Sequence, residues 1–431
     1  SNYLRPAGIN RYEYLNNCQD NGNVGIDNKF EDYGSINKDA IIYCEKKNPF
    51  IVSNSVFSKI NIYRKWGAEY NAYILWVYKT NAEIKNNNFS DCTVRPKVIY
   101  CQGDSYSLTL HNNKFNNCIH KNSGSRNEVI GSDFTKENNI QNNSVIFNDL
   151  DKSGRAFFIQ CNRNTIFNGN YIKNANYNQE SGGLLIKDTG SGNPLQFKHN
   201  IFVNCFGNQN GNGVALMIYD VRDDFVFENN TFQNNKNEYT ITDKNVEYYK
   251  GYFMRFDCNK DYNPSSITFL NCKFCYLECD GQSGGGIGLL YRSDNNNLQF
   301  KLTFDGTTFE HLYFTHKTYG GGAICFASEV NENKRSLLTV LNCIFHNVTS
   351  KCGGGAIYYN APQQELMIDN CTFTDTYTRN DGQFGGAIYV KLSEDPMPIT
   401  ITHCNFTNTY SSKGGAIYIE RNENSNSPIS I

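Results

Sequence analysis

Apolar and polar positions follow a short pattern that recurs along most of the chain. Counted back from a phenylalanine, apolar residues lie seven and five positions earlier, asparagine, histidine or glycine three earlier, and cysteine, asparagine or another small polar residue two earlier. Degenerate copies near Phe147 and Tyr171 fill the longest gap, so we expect about twelve repeats. The clear copies have their phenylalanine at Phe57, Phe89, Phe115, Phe202, Phe232, Phe274, Phe309, Phe345, Phe373 and Phe406.

The period of two within each copy predicts a β-strand with one buried face. The parity changes at the asparagine, for example at Asn342 between Val340 and Phe345, which predicts a corner between two strands. Asparagine adopts left-handed backbone angles more readily than any residue except glycine, so it suits such a corner.

A third strand is predicted after each of several glycine runs, because glycine permits a tight turn and the residues that follow alternate in polarity. The clear runs are Gly320–Ile324, Gly353–Ile357, Gly385–Ile388 and Gly414–Ile417, with weaker forms at Gly182–Leu184 and Gly284–Ile287.

Three short strands in a unit of roughly 30 residues bury their apolar faces only when successive units stack. The sequence therefore predicts an all-β fold, a right-handed parallel β-helix of about twelve coils with three strands per coil. Residues 1–40 lack the pattern and are predicted to form an N-terminal cap, and residues 41–431 one solenoid. Ile429 and Ile431 occupy the first two apolar positions of a further copy, so the natural polypeptide is expected to continue.

The charge balance excludes several classes of partner. With 40 basic and 42 acidic residues the formal net charge is -2, which argues against a nucleic-acid partner. No apolar run is long enough for a membrane helix, so membrane contact is expected only through a segment absent from this chain. The 16 cysteines mildly favour an oxidising compartment.

The Gly-Gly-Ala-Ile segments and the Phe-x-x-Asn-like segments carry a family resemblance. The chain resembles the polymorphic outer-membrane protein repeats of chlamydial surface autotransporters, and in its asparagine and tyrosine content it is similar to the trichomonad protist versions. The likeness covers about residues 180–431 well. Phe-x-x-Asn is often replaced here by Phe-x-x-Cys or Phe-x-Asn, as in Phe89–Cys92, Phe202–Asn204 and Phe406–Asn408. The resemblance implies a surface-displayed adhesive β-helix.

The sequence contains few candidate catalytic residues. Polysaccharide hydrolases and lyases of β-helical fold need several converging carboxylates with basic partners. Arg222, Asp223 and Asp224 form the one acidic pair beside a basic residue in a coil, and we interpret them as solvated turn residues. No catalytic residue and no cofactor are therefore assigned.

The cysteines offer a weak alternative, a zinc site. Cys272, Cys275 and Cys279 could bind zinc with Cys258 as a fourth ligand, but Cys272 occupies an inward repeat position, where a thiol commonly fills a core. No metal site is assigned. Cys343, Cys371 and Cys404 should stack on successive coils as free thiols, because in-register Cβ atoms lie too far apart for a disulfide.

The best candidate surface feature is a stripe of Tyr358, Tyr389 and Tyr418 on the outward side of three successive third strands. Such a stripe could bind a protein or glycan ligand, or merely brace the sheet. The insertion around residues 237–250 is a second candidate for recognition.

Six glycosylation sequons occur, and their number is no more than composition predicts. Asn88 and Asn405 should face solvent and carry glycans, Asn347 is a further candidate, and Asn229 and Asn370 should instead bond to stacked neighbours at the corner.

These observations favour a non-enzymatic extracellular or cell-surface protein, an adhesin or a surface-coat component. The alternatives are a self-associating subunit of an extracellular filament or sheath, and a polysaccharide-active β-helix enzyme.

Overall fold

The computed structural model shows an all-β protein built as a parallel β-solenoid. No helix occurs in the residues that it describes. Those residues are 23–24, 29–31, 40–45, 49–60, 73–94, 97–120, 128–134, 136–148, 154–161, 164–177, 181–188, 195–207, 215–221, 224–234, 254–258, 266–279, 287–291, 300–314, 320–327, 336–360, 365–379, 383–392, 398–421 and 426–431.

Three kinds of strand follow one another along the chain, and strands of one kind pair in parallel with others of the same kind. A-strands precede the asparagine corner, B-strands carry the repeat phenylalanine, and C-strands come third. The chain divides into two compact units, Ser1–Gln196 with Asn200–Phe206, and Phe197–His199 with Gly207–Ile431.

The first unit contains all three kinds of strand. Its A-strands are Asn23–Val24, Phe50–Ser53, Ala82–Lys85, Ser107–His111, Glu137–Gln141 and Thr165–Asn168. Its B-strands are Lys29–Glu31, Val56–Ser58, Asn88–Ser90, Lys114–Asn116, Ser144–Ile146, Tyr171–Lys173 and Ile201–Val203. Its C-strands are Ala40–Glu45, Tyr73–Tyr78, Lys97–Gln102, Glu128–Ser132, Arg155–Cys161 and Leu184–Asp188. Short additional strands are Thr93–Val94, Ile119–His120, Asn176–Tyr177 and Phe206–Gly207.

The second unit repeats this order. Its A-strands are Gln196–Lys198, Phe225–Glu228, Ser266–Leu270, Phe300–Asp305, Ser336–Leu341, Glu365–Asp369, Ile399–Thr402 and Ile429–Ser430. Its B-strands are Thr231–Gln233, Lys273–Cys275, Thr308–Phe314, Ile344–Ser350, Thr372–Thr374 and Asn405–Thr407. Its C-strands are Leu216–Val221, Met254–Cys258, Ile287–Tyr291, Ile324–Ala327, Ile357–Asn360, Ile388–Lys391 and Ile417–Glu420. The short strands Glu278–Cys279 and Tyr377–Thr378 pair with the far ends of Thr308–Phe314 and Ile344–Ser350.

Left-handed residues form the corner between A- and B-strands, as the sequence predicts. The asparagines at this corner have φ values between 50° and 57°, and they are Asn54, Asn86, Asn112, Asn142, Asn229, Asn271, Asn342 and Asn370. A second left-handed corner, which the sequence analysis did not assign, lies two residues after the phenylalanine. It is formed by Lys59, Asp91, Asn117, Asn174, Asn204, Tyr276, His311, Asn347, Asp375 and Asn408.

The residue after the first corner points inward and forms what we name the inward corner ladder. In the first unit it is a buried asparagine on successive coils, at Asn87, Asn113, Asn143, Asn170 and Asn200. Asn113 is typical: its Nδ2 donates to the carbonyl oxygens of Ile84 (2.8 Å) and His111 (3.0 Å), and its Oδ1 accepts from the backbone N–H of Asn87 (3.0 Å). In the second unit the ladder consists of Asn230, Cys272, Thr307, Cys343, Cys371 and Cys404.

The repeat phenylalanines stack inside the solenoid, as predicted. Between Phe274 and Phe406 successive ring centroids are 4.7 to 5.4 Å apart and the rings are nearly parallel. The two degenerate copies lie near Phe147 and Tyr171, as predicted, with Val145 and Ile172 at the core position, since Phe115 pairs with Val145 and Val145 with Ile172. In these two copies smaller β-branched side chains fill the core position of the phenylalanine, so the position of an aromatic residue does not locate it.

The repeat register also extends into the segment predicted as a cap. Phe30, in the B-strand Lys29–Glu31, pairs with Phe57. The sequence pattern missed this copy because the positions seven and five before Phe30 are Asn23 and Gly25, which are not apolar. The structure also describes Asn23–Val24, which pairs with the A-strand Phe50–Ser53, and Ala40, the first residue of a C-strand. The other residues of the proposed cap lie outside the described part of the chain.

A buried charge cluster lies where three C-strands of the first unit begin. Lys97, Glu128 and Arg155 are register partners on successive coils. The Arg155 Nη1 donates to Glu128 Oε1 (3.0 Å), its Nε donates to the Ser181 carbonyl (3.0 Å), and the Lys97 Nζ lies 3.3 Å from Glu128 Oε2. Because a lone buried charge is costly, loss of Glu128 would leave two cations uncompensated, and the cluster is therefore a structural element.

Candidate functional site

The predicted tyrosine stripe forms a continuous stack on three C-strands of the second unit. Tyr358 pairs with Tyr389 and Tyr389 with Tyr418. Their ring centroids are 5.0 Å and 6.0 Å apart, and both pairs are nearly parallel. We name these three residues the tyrosine stack.

The stack is less exposed than its outward position predicts. Tyr389 is only 6% exposed, and Tyr358 and Tyr418 are half-buried. Phe384 covers one side, since its ring centroid lies 4.5 Å from that of Tyr418 and 6.2 Å from that of Tyr389. The Tyr389 ring also lies over Gly353, where an added Cβ would be 3.1 Å from its Cδ2. Because the glycine turns carry no side chains, the tyrosine rings pack directly on the backbone of the turns.

Polar contacts fix the hydroxyl group of Tyr389, the middle residue of the stack. The Tyr389 hydroxyl donates to Glu420 Oε2 (2.5 Å), and Lys391 Nζ lies 3.3 Å from Glu420 Oε1. Burial, together with this hydrogen bond, raises the pKa of Tyr389, whereas the hydrogen bond from Tyr389 and the nearby Lys391 lower the pKa of Glu420. The buried middle of the stack is therefore braced, and only the half-buried Tyr358 and Tyr418 offer surface to a ligand.

A second set of tyrosines, which the sequence pattern did not reveal, also lies in the second unit. Tyr313, Tyr377 and Tyr410 lie four residues after the repeat phenylalanine, and pairing through Thr349 brings them into one column. Tyr410 is 67% exposed, and the exposed Arg379 guanidinium lies 3.9 Å from the centroid of the Tyr313 ring. We name these three residues the tyrosine column. Counting four positions after each phenylalanine would have found it.

The column and the stack flank the same glycine turn. An added Cβ on Gly386 would lie 2.6 Å from the backbone nitrogen of Tyr410, and Gly386 precedes Tyr389 by three residues. The two sets of aromatic side chains therefore come from segments in close contact in the second unit.

A cluster of one glutamate and two histidines lies on neighbouring B-strands. Glu310 Oε1 is 3.7 Å from His311 Nε2 and 3.8 Å from His346 Nδ1. Lys273 Nζ contacts the other carboxylate oxygen of Glu310 at 3.0 Å, and this hydrogen bond lowers the pKa of Glu310. The sequence analysis missed this cluster as well. The sequence signal for the cluster is that Glu310 and His311 directly follow the repeat phenylalanine of one copy, and His346 directly follows that of the next.

The predicted glycosylation residues differ in accessibility. Asn405 is exposed as predicted, but Asn88 is half-buried with a buried Oδ1, because B-strands flank it on both sides. Asn347 is half-buried, and its Nδ2 lies 2.6 Å from His311 Nδ1. Asn370 donates to Asn342 Oδ1 (2.8 Å), as the corner prediction requires, yet it is exposed. Glycan attachment stays a prediction at all of these residues.

The cysteines of the possible zinc site are engaged in core packing. The Cys272 Sγ donates to the carbonyl oxygen of Phe227 (3.2 Å), and the Cys275 Sγ donates to that of Phe232 (3.9 Å). Burial raises the pKa of each thiol to about 11, which opposes the thiolate that zinc needs. The side chains of Cys258 and Cys279 lie outside the described part of the chain. Cys343, Cys371 and Cys404 hold free thiols, as predicted.

Two other predicted features fall largely outside the described residues. Arg222 and Asp223 do so, while the exposed Asp224 accepts a hydrogen bond from the backbone N–H of Ser266 (2.7 Å). The insertion around residues 237–250 also lies outside them.

Comparison with known proteins adds no family assignment. Neither a scan against protein-family models nor a search of curated proteins finds a match to this chain. Among the residues that the structure describes, no helix has the length and apolar character needed to cross a bilayer.

Proposed function

We propose that this chain is a non-enzymatic extracellular protein, an adhesin or a component of a cell-surface coat. It binds a protein or glycan partner through the tyrosine column and the half-buried ends of the tyrosine stack, Tyr358 and Tyr418. The observation that carries this proposal is the tyrosine column, in which strand pairing aligns three tyrosines and the exposed Arg379 guanidinium lies over the Tyr313 ring. Tyrosine and arginine are the side chains most enriched where binding energy concentrates.

The rigidity of the scaffold supports a binding role. Both sets of tyrosines belong to paired strands, so their backbones are fixed before a partner arrives. A tyrosine has few rotatable bonds, and a pre-ordered ring loses little conformational entropy on binding. Such a surface gains more affinity per contact than a mobile loop of the same composition.

The carboxylates support a non-enzymatic role. A general acid for glycoside cleavage needs a raised pKa. Among the described carboxylates with a resolved shift, Glu310, Asp369 and Glu420, the pKa is lowered in every case, first by a hydrogen bond from Lys273, His403 and Tyr389 respectively. These groups suit permanent anions in side-chain ladders better than proton donors.

The proposal also covers the handedness of the solenoid, the number of strands per coil and the number of coils. We infer a right-handed β-helix with three strands per coil and about twelve coils, related to the polymorphic outer-membrane protein repeats. The recurring order of A-, B- and C-strands supports it, and parallel strand connections are right-handed in nearly all known cases. An experimental structure would test both the handedness and the number of coils.

Binding measurements test the proposed role. The chain would be assayed against immobilised glycans and extracellular-matrix proteins, as wild type and as the double variants Tyr377→Ser/Tyr410→Ser and Tyr358→Ser/Tyr418→Ser. We expect both double variants to bind at least tenfold more weakly, which corresponds to about 1.4 kcal/mol. Because Tyr377 is half-buried and Tyr410 exposed, the column variant should keep the wild-type circular dichroism spectrum and lose less thermal stability than a variant of a buried tyrosine.

Tyr389→Ser is the matched control. Because Tyr389 is buried, this change should lower the melting temperature and leave the affinity of the folded protein unchanged. Unaltered binding by both double variants would contradict the proposal. Weaker self-association in ultracentrifugation, without loss of ligand binding, would favour the filament or sheath alternative, and cleavage of a polysaccharide would favour the enzyme.

A further inference from the structure

We propose that Glu310, His311 and His346 form a binding site for a divalent transition-metal ion, with Zn²⁺ as the preferred ion. The site lies on the outer side of two paired B-strands in the second unit, Thr308–Phe314 and Ile344–Ser350. It uses none of the residues of the tyrosine stack or the tyrosine column and does not depend on the binding role proposed above.

Strand register brings the three side chains together. Glu310 pairs with His346, so their side chains project from the same outward position on neighbouring coils. His311 follows Glu310 at the second corner, where a φ of 54° turns its side chain towards the same side. All three residues are half-buried, which limits their motion while leaving access for an ion.

The distances are close to those of a three-ligand metal site. One ligand atom from each residue lies within 4.8 Å of the other two, and the two distances from Glu310 Oε1 are 3.7 Å and 3.8 Å. Zinc bonds of about 2.0–2.1 Å at tetrahedral angles place ligand atoms about 3.4 Å apart. Small side-chain rotations are enough to close this gap.

Each histidine has a second partner that can orient its ring. His346 Nε2 lies 3.5 Å from Asp375 Oδ2, which leaves Nδ1 for the metal and gives the carboxylate–histidine arrangement typical of zinc sites. His311 Nδ1 contacts the Asn347 amide at 2.6 Å, and a half-turn of that amide presents its oxygen to the Nδ1–H. The Tyr276 ring stacks on His311 at 4.8 Å and fixes the plane of the ring.

The donor set selects the class of ion. Two imidazoles and one carboxylate suit Zn²⁺, Ni²⁺ or Cu²⁺, whereas Ca²⁺ and Mg²⁺ prefer oxygen ligands alone. Lys273 holds Glu310 Oε2 and leaves Oε1 as a monodentate ligand. Three protein ligands leave a fourth position for water or for a group on a partner molecule.

Metal binding would tie two coils together. Because the ligands come from adjacent B-strands, the assembled site exists only in the folded chain. An ion that binds this site more tightly than it binds the thiols and imidazoles of the unfolded chain would raise the melting temperature. Titration of chelator-treated protein with Zn²⁺ by calorimetry tests the proposal. We expect saturation at one equivalent and an increase in melting temperature.

Matched variants assign the site. His311→Asn, which tolerates the left-handed backbone, and His346→Gln should each weaken Zn²⁺ binding at least 100-fold and abolish the thermal shift. Asp375→Asn should weaken binding tenfold or more, since partners of ligating histidines commonly have effects of that size. His403→Gln is the control, because His403 is 79% exposed and contacts only Asp369 among possible ligands. This variant should bind Zn²⁺ like the wild type.

Three results would overturn the inference. They are a wild type that binds no Zn²⁺, binding and a thermal shift that persist in both histidine variants, and a Co²⁺ complex with sulfur-to-metal charge transfer. The last would assign the metal to the cysteines. If a histidine variant is destabilised without metal, the Asp375→Asn variant and the Co²⁺ spectrum still decide the question.

Discussion

At the scale of single residues, the inward corner ladder is built from two different chemistries. In the first unit Asn113 donates through Nδ2 to the carbonyls of Ile84 and His111. In the second unit Thr307 donates through Oγ1 to the equivalent carbonyls of Phe269 (3.3 Å) and Asp305 (3.4 Å). The shared requirement is a small buried donor, and asparagine adds an acceptor for the preceding coil. These bonds satisfy polar backbone groups that water cannot reach.

The ladder leads to a prediction for Asn113. Asn113→Leu removes the donor to the buried Ile84 carbonyl and the acceptor for the buried Asn87 N–H, and each unsatisfied buried group costs about 1–3 kcal/mol. Asn113→Thr keeps the donor, as Thr307 does, and should cost clearly less. Urea unfolding of both variants measures the difference. Equal losses of stability would mean that the donor is not what this position requires.

At the scale of elements, four C-strands of the second unit each begin three residues after a glycine with a positive φ. Gly321, Gly354, Gly385 and Gly414 have φ values between 63° and 81°. At Gly354 a Cβ would lie 2.0 Å from the carbonyl oxygen of Ile357, so the backbone folds back on itself directly before the strand. This turn places Ile357 in the core and Tyr358 in the stack. The glycine thus determines which face of the strand each side chain occupies.

Gly354→Ala should therefore be strongly destabilising. The left-handed conformation alone costs about 1–2 kcal/mol for a residue with a Cβ, and the contact with Ile357 adds to this. Gly415→Ala is the control within this chain, because Gly415 has no positive φ and its Cβ would meet only Thr409 O at 3.9 Å. Thermal melting should show a large decrease for the first variant and little change for the second. A tolerated alanine at Gly354 would contradict the proposed role of the turn.

At the scale of the whole molecule, the solenoid is a series of coils in which each strand pairs mainly with its neighbours of the same kind. The second unit shows this along its B-strands, where Phe309 pairs with Phe345 and Phe345 with Phe373. In such an arrangement stability is approximately a sum of terms from each coil and from each interface between neighbours. A complete coil is therefore a unit that can be removed.

Deletion of residues 344–371 should leave a folded protein. The deletion joins Cys343 to Thr372, which occupies the register position of Ile344, so Phe373 would stack directly on Phe309. We expect a β-rich circular dichroism spectrum and a cooperative melt at somewhat lower temperature. Deletion of residues 344–357 is the control, since it ends within a C-strand and should prevent folding of the second unit. Equal behaviour of the two deletions would show that register does not govern the fold.

The sequence alone determined the solenoid, the left-handed asparagine corner, the stacked phenylalanines and the glycine-initiated strands. These features follow from local backbone preferences and from a repeat, so each copy supports the same interpretation. The pattern did not identify Val145 and Ile172 as core residues, because a core position accepts any apolar side chain of suitable size.

Only the tertiary structure decided which outward residues are covered and which polar residues meet. Tyr389 alternates with core residues like any outward side chain, yet Phe384 and the glycine turn bury it. No sequence pattern links Glu310 with His346, and strand register makes them neighbours. Such contacts depend on the path of the chain between repeats, which varies from coil to coil, whereas the alternation of strands depends only on the backbone.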